Sequence, residues 1–288
     1  MIIVRIWEGL GNQLFQYAYA RSLQQRTSIP VFLDVRHNNR GDLPCEKRDI
    51  VTRKLGIQQF NISLKGIRTD KISALRCIDG TGADSKLQYL LLRRKMGKWR
   101  IIDDAAQQYD IKPDIFKPKT NTYINAHCVN KRYYEDCRDI LLQELQPKKG
   151  CGLSEDLRAI FQNKNTVSIH IRLTDYLRDP SVICRQPYYD RAVQYIQARV
   201  EDPYFIVFTD DYELARKMYQ FHARVYWIGQ HGYKDYEELI IMSKCKHNII
   251  AQSTFSYWGA WLNQNPEKIV VAPKQMFGSL CEKGWKIV

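Results

Sequence analysis

The chain has 288 residues, with 44 Lys and Arg against 31 Asp and Glu and a net charge of +13. That length holds two modest domains or one large one, and the absence of low-complexity runs, Gly/Ser linkers and solenoid-period repeats excludes disordered and repeat architectures. The charge excess implies an anionic partner, for which phosphate-bearing substrates, nucleic acid and anionic membrane surfaces all qualify. The eight cysteines show no Cys-x-x-Cys spacing, and the amino terminus, Met-Ile-Ile-Val-Arg-Ile, reads as a strand rather than a signal peptide. Reduced thiols and a cytoplasmic location are the expectation. No apolar run approaches the ~20 residues needed to span a bilayer.

In chain order, Ile2 to Ile6 reads as a strand, Gly9-Leu10-Gly11-Asn12-Gln13 as a turn, and Leu14 to about Gln25 as a helix with an apolar stripe. A second strand runs from Ile29 to Leu33. This strand, glycine turn, helix, strand order opens a Rossmann-like unit, although the dinucleotide fingerprint lacks its third glycine, which is Leu14 here. Residues 34 to 120 give no clear pattern. Within them Lys86 to Arg100 is basic and amphipathic, a solvated helix or one lying on an anionic membrane surface. Thr122 to Asn125 is a further strand, and Pro147 to Gly152 a break before a helix capped near Ser154. From there strands and helices alternate: strands at 166–171, 204–208, 224–227, 248–250 and 269–271, helices at about 188–200, 212–219, 236–243 and 255–262. That spacing predicts a parallel doubly wound sheet.

Three loops follow strands of this second sheet and are brought to one edge by right-handed crossovers. The first carries His170, Arg172, Thr174, Asp175 and Tyr176; either Arg172 pairs with Asp175 on a solvated surface or it grips a phosphate through parallel N–H bonds. The second is Thr209-Asp210-Asp211, where Asp210 is a nucleotide ligand or a cap for the helix at Tyr212. The third, Ser253-Thr254-Phe255-Ser256, opens a helix, a setting for plain capping or for phosphate binding. Together they have the profile of a nucleotide or nucleotide-sugar site. No Asp-x-Asp triad, zinc-ligand spacing, Gly-x-Ser-x-Gly elbow or P-loop occurs, so no metal site is expected and hydrolase and ATPase readings have no foothold.

Four ordered blocks resemble the α-1,2-fucosyltransferases of glycosyltransferase family 11. Gly9-Leu-Gly-Asn-Gln-Leu-Phe-Gln-Tyr-Ala18 is similar to their Gly-Leu-Gly-Asn-Gln-Met-Phe-Gln-Tyr-Ala signature, and His170-Ile-Arg-Leu-Thr-Asp175 to their His-x-Arg-Arg-x-Asp motif. Phe208-Thr-Asp-Asp211 and Ser253-Thr-Phe-Ser-Tyr-Trp-Gly-Ala-Trp-Leu262 match two further blocks, and Tyr188-Tyr-Asp-Arg-Ala192 also has the family's look. The resemblance implies a GT-B-type α/β architecture of two facing Rossmann-like domains with parallel sheets: 1–150 on the acceptor side and 151–288 binding the donor. It implies GDP-L-fucose as donor, inversion, no metal or other cofactor, and a galactose-type acceptor on a glycan. Arg172 would bind the diphosphate and stabilise the leaving group's charge; His170, Asp175 and Tyr176 would shape that pocket. Thr209 and Asp210 would seat the nucleotide, Ser253, Thr254, Phe255 and Ser256 would hold phosphate oxygens, and Gly11, Asn12 and Gln13 would face the sugar from the other domain.

The chain departs from the family pattern at Leu173, where the motif has a second Arg, and at Asn125 to Tyr134, which lacks the usual Gln and Glu. The general base is open among Glu8, His127 and Asp34. A donor carrying another nucleotide-linked deoxysugar is the alternative enzyme reading. A nucleic-acid-binding protein is the reading from another class, ranked lower because the basic residues are scattered and no binding module is present. For Lys86 to Arg100 the solvated helix is the favoured reading, and contact with the inner face of an anionic membrane is the alternative.

Overall fold

The computed structural model describes residues 1–35, 54–67, 99–104, 113–174, 180–274 and 280–288. The chain divides into two units, Met1–Gln146 and Pro147–Val288. The break falls at Pro147, where the Pro/Gly-bearing stretch interrupts regular structure.

The first unit is built on β1 (Ile2–Arg5), α1 (Leu10–Arg26), β2 (Val31–Asp34), β3 (Arg100–Asp104), α2 (Pro113–Phe116), β4 (Thr122–Ala126) and α3 (Arg138–Glu144). Its sheet has the order β2-β1-β4-β3, parallel throughout. All four residues of β1 and all five of β4 are buried, the signature of a parallel strand covered on both faces. Helix α1 starts at Leu10 rather than Leu14, because Gly9 is already its extended N-cap. Its polar inner face is matched by specific partners. Arg21 Nε donates to Glu144 at 2.9 Å, Ser22 Oγ to Asp136 at 2.5 Å, and Tyr17 Oη also bonds Glu144.

The second unit contains α4 (Glu155–Asn163), β5 (Asn165–Ile171), α5 (Gln186–Gln197), β6 (Pro203–Thr209), α6 (Tyr212–Met218), β7 (Val225–Trp227), α7 (Asp235–Lys244), β8 (His247–Ile249), α8 (Thr254–Leu262), β9 (Val270–Ala272) and β10 (Lys286–Ile287). The sheet order is β10-β9-β8-β5-β6-β7, again parallel throughout. The chain runs outward from β5 through β6 to β7, then returns to the other side of β5 with β8. The strand order therefore reverses between β5 and β8, and ligands of open α/β sheets bind outside the carboxyl ends of strands at such a point.

Strand alternation divides β6 between two cores. Phe205 and Val207 join Val167, Ile169 and Ile171 of β5 in packing with Tyr188, Tyr189 and Ile196 of α5, while Ile206 and Phe208 pack with Ile241 and Met242 of α7. Helices α7 and α8 approach closely at Gly259, where a Cβ would lie 2.3 Å from Met242 Sδ and 2.8 Å from its Cγ. The sequence expectation omitted β3 and β10, both at sheet edges. Most of Lys86 to Arg100 lies outside the described residues, and no described helix is long and apolar enough to cross a membrane.

Candidate active site

At the switch point of the second sheet, the end of β5 and the start of α8 come together. His170 is the penultimate residue of β5 and is buried, with its ring centroid 5.5 Å from that of Phe255 in the first turn of α8. Burial pushes its imidazole down to about 3; Asp210 opposes that shift and Arg172 adds to it, so the ring is neutral across the physiological range. Its Nδ1 has no hydrogen-bond partner among the described residues. The carbonyl of His170 accepts from Tyr189 Oη at 2.8 Å, and Tyr188 Oη donates to the carbonyls of Ile250 at 2.5 Å and Val271 at 3.2 Å. The two tyrosines of α5 thus pin three neighbouring strand ends from beneath. Only their position directly after Pro187 hinted at this in the sequence.

Arg172 pairs with Asp210, Nη1 to Oδ2 at 3.0 Å. The same carboxylate accepts from the Leu173 amide at 2.9 Å, the Thr174 amide at 3.3 Å and the Thr174 hydroxyl at 2.5 Å. Asp210 is therefore the brace of the loop after β5. It does not cap the helix at Tyr212: that is done by Asp211, whose side chain accepts from Leu214 N at 3.0 Å. Thr209 is buried and takes the Asp211 amide on its hydroxyl at 3.3 Å. Leu173 is fully buried in the core against α5, where a second arginine would have to bury its charge.

At the third loop, Ser253 caps α8 by accepting from the Phe255 amide at 3.3 Å. Ser256 is buried and its hydroxyl returns to the carbonyls of Ala251 and Ser253, both at 3.4 Å. The first-turn amides of a helix have no carbonyl partner within it, and the amides of Thr254 and Ser256 take no acceptor among the described residues. Helix starts of this kind suit an anion, and this one packs through Phe255 against His170 of β5. Asp175 and Tyr176 lie outside the described residues. Glu238 of α7 had no signal in the sequence. Burial, then the charges of Asp235 and Asp210, raise its carboxyl to about 8, so it is largely protonated at neutral pH.

The carboxyl edge of the first sheet carries a second polar cluster. Glu8 follows β1 with φ 66°, the left-handed region that non-glycine residues rarely occupy. Its carbonyl accepts from Gln13 Nε2 at 2.7 Å, and its carboxylate meets His127 Nε2 at 3.2 Å and Asn12 Nδ2. Gly11 and Gln13 are buried. Gln13 also donates to the Lys54 carbonyl at 2.9 Å and accepts from the Gly56 and Ile57 amides at 2.9 and 3.3 Å. Its amide is committed to fastening residues 54–57, so of the expected trio only Asn12 is partly exposed. Among the described residues, no group of three His, Cys, Asp or Glu side chains converges as a metal site.

The family model for glycosyl transferase family 11 matches residues 1–284. The chain belongs to that family. Among curated proteins it is 30% identical to the O-antigen biosynthesis glycosyltransferase WbnK of Escherichia coli, over 93% of this chain and 92% of that protein. It is 26% identical to an alpha-1,2-colitosyltransferase of Escherichia coli, over 96% of this chain and 92% of that protein. Among solved structures it is similar to the fucosyltransferase NodZ from Bradyrhizobium, with 15% identity, a TM-score of 0.49 and coverage of 90% of this chain and 92% of that one. The chain is thus a glycosyltransferase.

Proposed function

We propose that this glycosyltransferase moves L-fucose from GDP-L-fucose to the 2-hydroxyl of a galactose-type residue on a glycan such as an O-antigen, with inversion and without a metal. The observation that carries the reading is the switch point of the second sheet, where His170 packs on Phe255 in the first turn of α8 and, two residues on, Arg172 is braced by Asp210. The four motif blocks resembling α-1,2-fucosyltransferases, and a relative whose name specifies a 1,2-linkage, support the donor sugar and the linkage. As the acceptor oxygen bonds to the anomeric carbon, the bond from that carbon to the β-phosphate oxygen breaks and its electron pair leaves with GDP. Arg172 and the amides of Thr254 and Ser256 stabilise that charge where it develops. The unit 1–146 takes the acceptor and the unit from 147 the donor.

A second reading keeps the fold and changes the donor sugar to colitose, L-fucose without its 3-hydroxyl; the colitosyltransferase relative favours it. Incubation with GDP-fucose and a panel of galactosides in the presence of EDTA tests both. Release of GDP with an α-1,2-fucosylated product is expected. Transfer from GDP-colitose but not GDP-fucose would replace the first reading by the second, and no transfer across a broad acceptor panel would end both. The same reading places the enzyme in the cytoplasm, touching anionic membrane through residues 86–100. Recovery only in the lipid-free fraction on flotation with anionic vesicles would remove that contact.

A further inference from the structure

We propose that Glu8 is the general base that takes the proton from the acceptor hydroxyl, and that His127 is the residue positioning it; this rests on the fucosyl-transfer reading above.

The pair stands where the first sheet changes direction. Strands β1 and β4 are neighbours in register, Ile2 opposite Thr122 and Val4 opposite Ile124, and β2 and β3 lie outside them. Glu8 follows the carboxyl end of β1 and His127 that of β4, so the 3.2 Å contact between them bridges the position at which such sheets receive ligands. The three open candidates separate on exposure. The carboxylate of Asp34 is buried beneath the Tyr123 hydroxyl, which donates to it at 2.9 Å. The His127 side chain is 5% exposed, packed on the Trp7 ring with centroids 4.5 Å apart, whereas the Glu8 side chain is 37% exposed. Of the three, Glu8 has the most exposed side chain.

The surroundings hold that carboxylate ready. The Nδ1 of His127 is buried without a partner among the described residues, and because a carboxylate accepts, Nε2 is the nitrogen that donates, to Oε1 of Glu8. Asn12 Nδ2 donates to Oε2. Two donors of this kind fix the orientation of the carboxylate. The left-handed backbone at Glu8 is strained for a residue with a side chain, and the buried Gln13 clamp on its carbonyl retains it. Strain held in place this way belongs at a working position rather than at an ordinary strand-to-helix turn. In the step itself, the acceptor O–H proton passes to Glu8 as the oxygen bonds to the anomeric carbon, and the carbon–oxygen bond to GDP breaks with its electrons going to the β-phosphate.

The test is steady-state kinetics of Glu8→Gln and Glu8→Gly with GDP-fucose and a β-galactoside, repeated with azide in place of the galactoside. Glu8→Gly suits the left-handed backbone and so keeps the turn while removing the carboxylate. Both variants are expected to lose on the order of a hundred- to ten-thousand-fold in kcat with the galactoside, with GDP affinity and Tm unchanged. Azide needs no deprotonation, so fucosyl azide should form at wild-type rates. His127→Gln, whose amide can still donate, should retain most of the kcat that His127→Phe loses, with KM little changed. Near wild-type galactoside transfer by Glu8→Gln, or equal loss of azide and galactoside transfer in both Glu8 variants, would overturn the assignment while leaving fucosyl transfer intact. A wild-type enzyme that releases no GDP from GDP-fucose would instead remove the reading on which it rests.

Discussion

Asp210 holds Arg172 at 3.0 Å and, through the same carboxylate, the backbone amide of Leu173 at 2.9 Å. One acidic side chain at the end of β6 therefore sets both the cation and the loop that presents it. Asp210→Asn keeps an acceptor for the Leu173 amide and removes the charge that aims the guanidinium. The KM for GDP-fucose should rise and kcat fall, each by about tenfold. Asp210→Ala should also lower stability by about 1–2 kcal/mol, because the Leu173 and Thr174 amides lose their shared acceptor. Denaturant melts alongside initial rates separate the two effects.

Glu238 gives a pH signature with a defined sign. Its folded-state pKa, raised from 4.5 to about 8, means that the folded protein binds this proton more tightly than the unfolded chain. Stability from this group is fully present below pH 4.5 and is lost as pH rises through about 8. Glu238→Gln should lie close to wild type at pH 5 and exceed it at pH 9, by up to about 4 kcal/mol, with a correspondingly higher Tm. Thermal melts across that range provide the check, and a constant offset between the two proteins would argue against a partly buried, protonated Glu238.

Gly259 is expected to resist substitution although it lies inside a helix. Alanine gains about 1 kcal/mol of helix propensity, but its methyl would meet Met242 Sδ at 2.3 Å and Cγ at 2.8 Å. Overpacking of this kind costs about 1–3 kcal/mol, so Gly259→Ala should be destabilised. Gly259→Ala combined with Met242→Ala should recover part of the loss in a double-mutant cycle.

Much of the second unit was legible because its strands are short β-branched or aromatic runs separated by helix-length segments. The observed bounds of β5, β6, α7 and α8 fall within one or two residues of those expected. Strand β3 was not legible: Arg-Ile-Ile-Asp-Asp is half exposed at a sheet edge and carries three charges, so it shows neither alternation nor a buried run. The adjacent Asp210 and Asp211 could not be told apart in sequence. The capping aspartate is the second, because β6 already ends at Thr209 and the extended backbone of Asp211 sends its side chain to Leu214. Gln13 sits inside the most specific motif yet spends its amide on residues 54–57, a long-range role that local sequence cannot display. The pairing of Glu8 with His127 joins residues 119 apart in the chain and became visible only once β1 and β4 were neighbours.

The claim that Arg172 grips the GDP diphosphate is tested most directly by calorimetric titration of GDP and GMP into wild type and Arg172→Lys. Lysine keeps the charge and loses the planar fork, so GDP should bind at least about tenfold more weakly to Arg172→Lys. GMP affinity and Tm should be nearly unchanged. GDP binding to Arg172→Lys with wild-type affinity would contradict the assignment of this strand end as the diphosphate site.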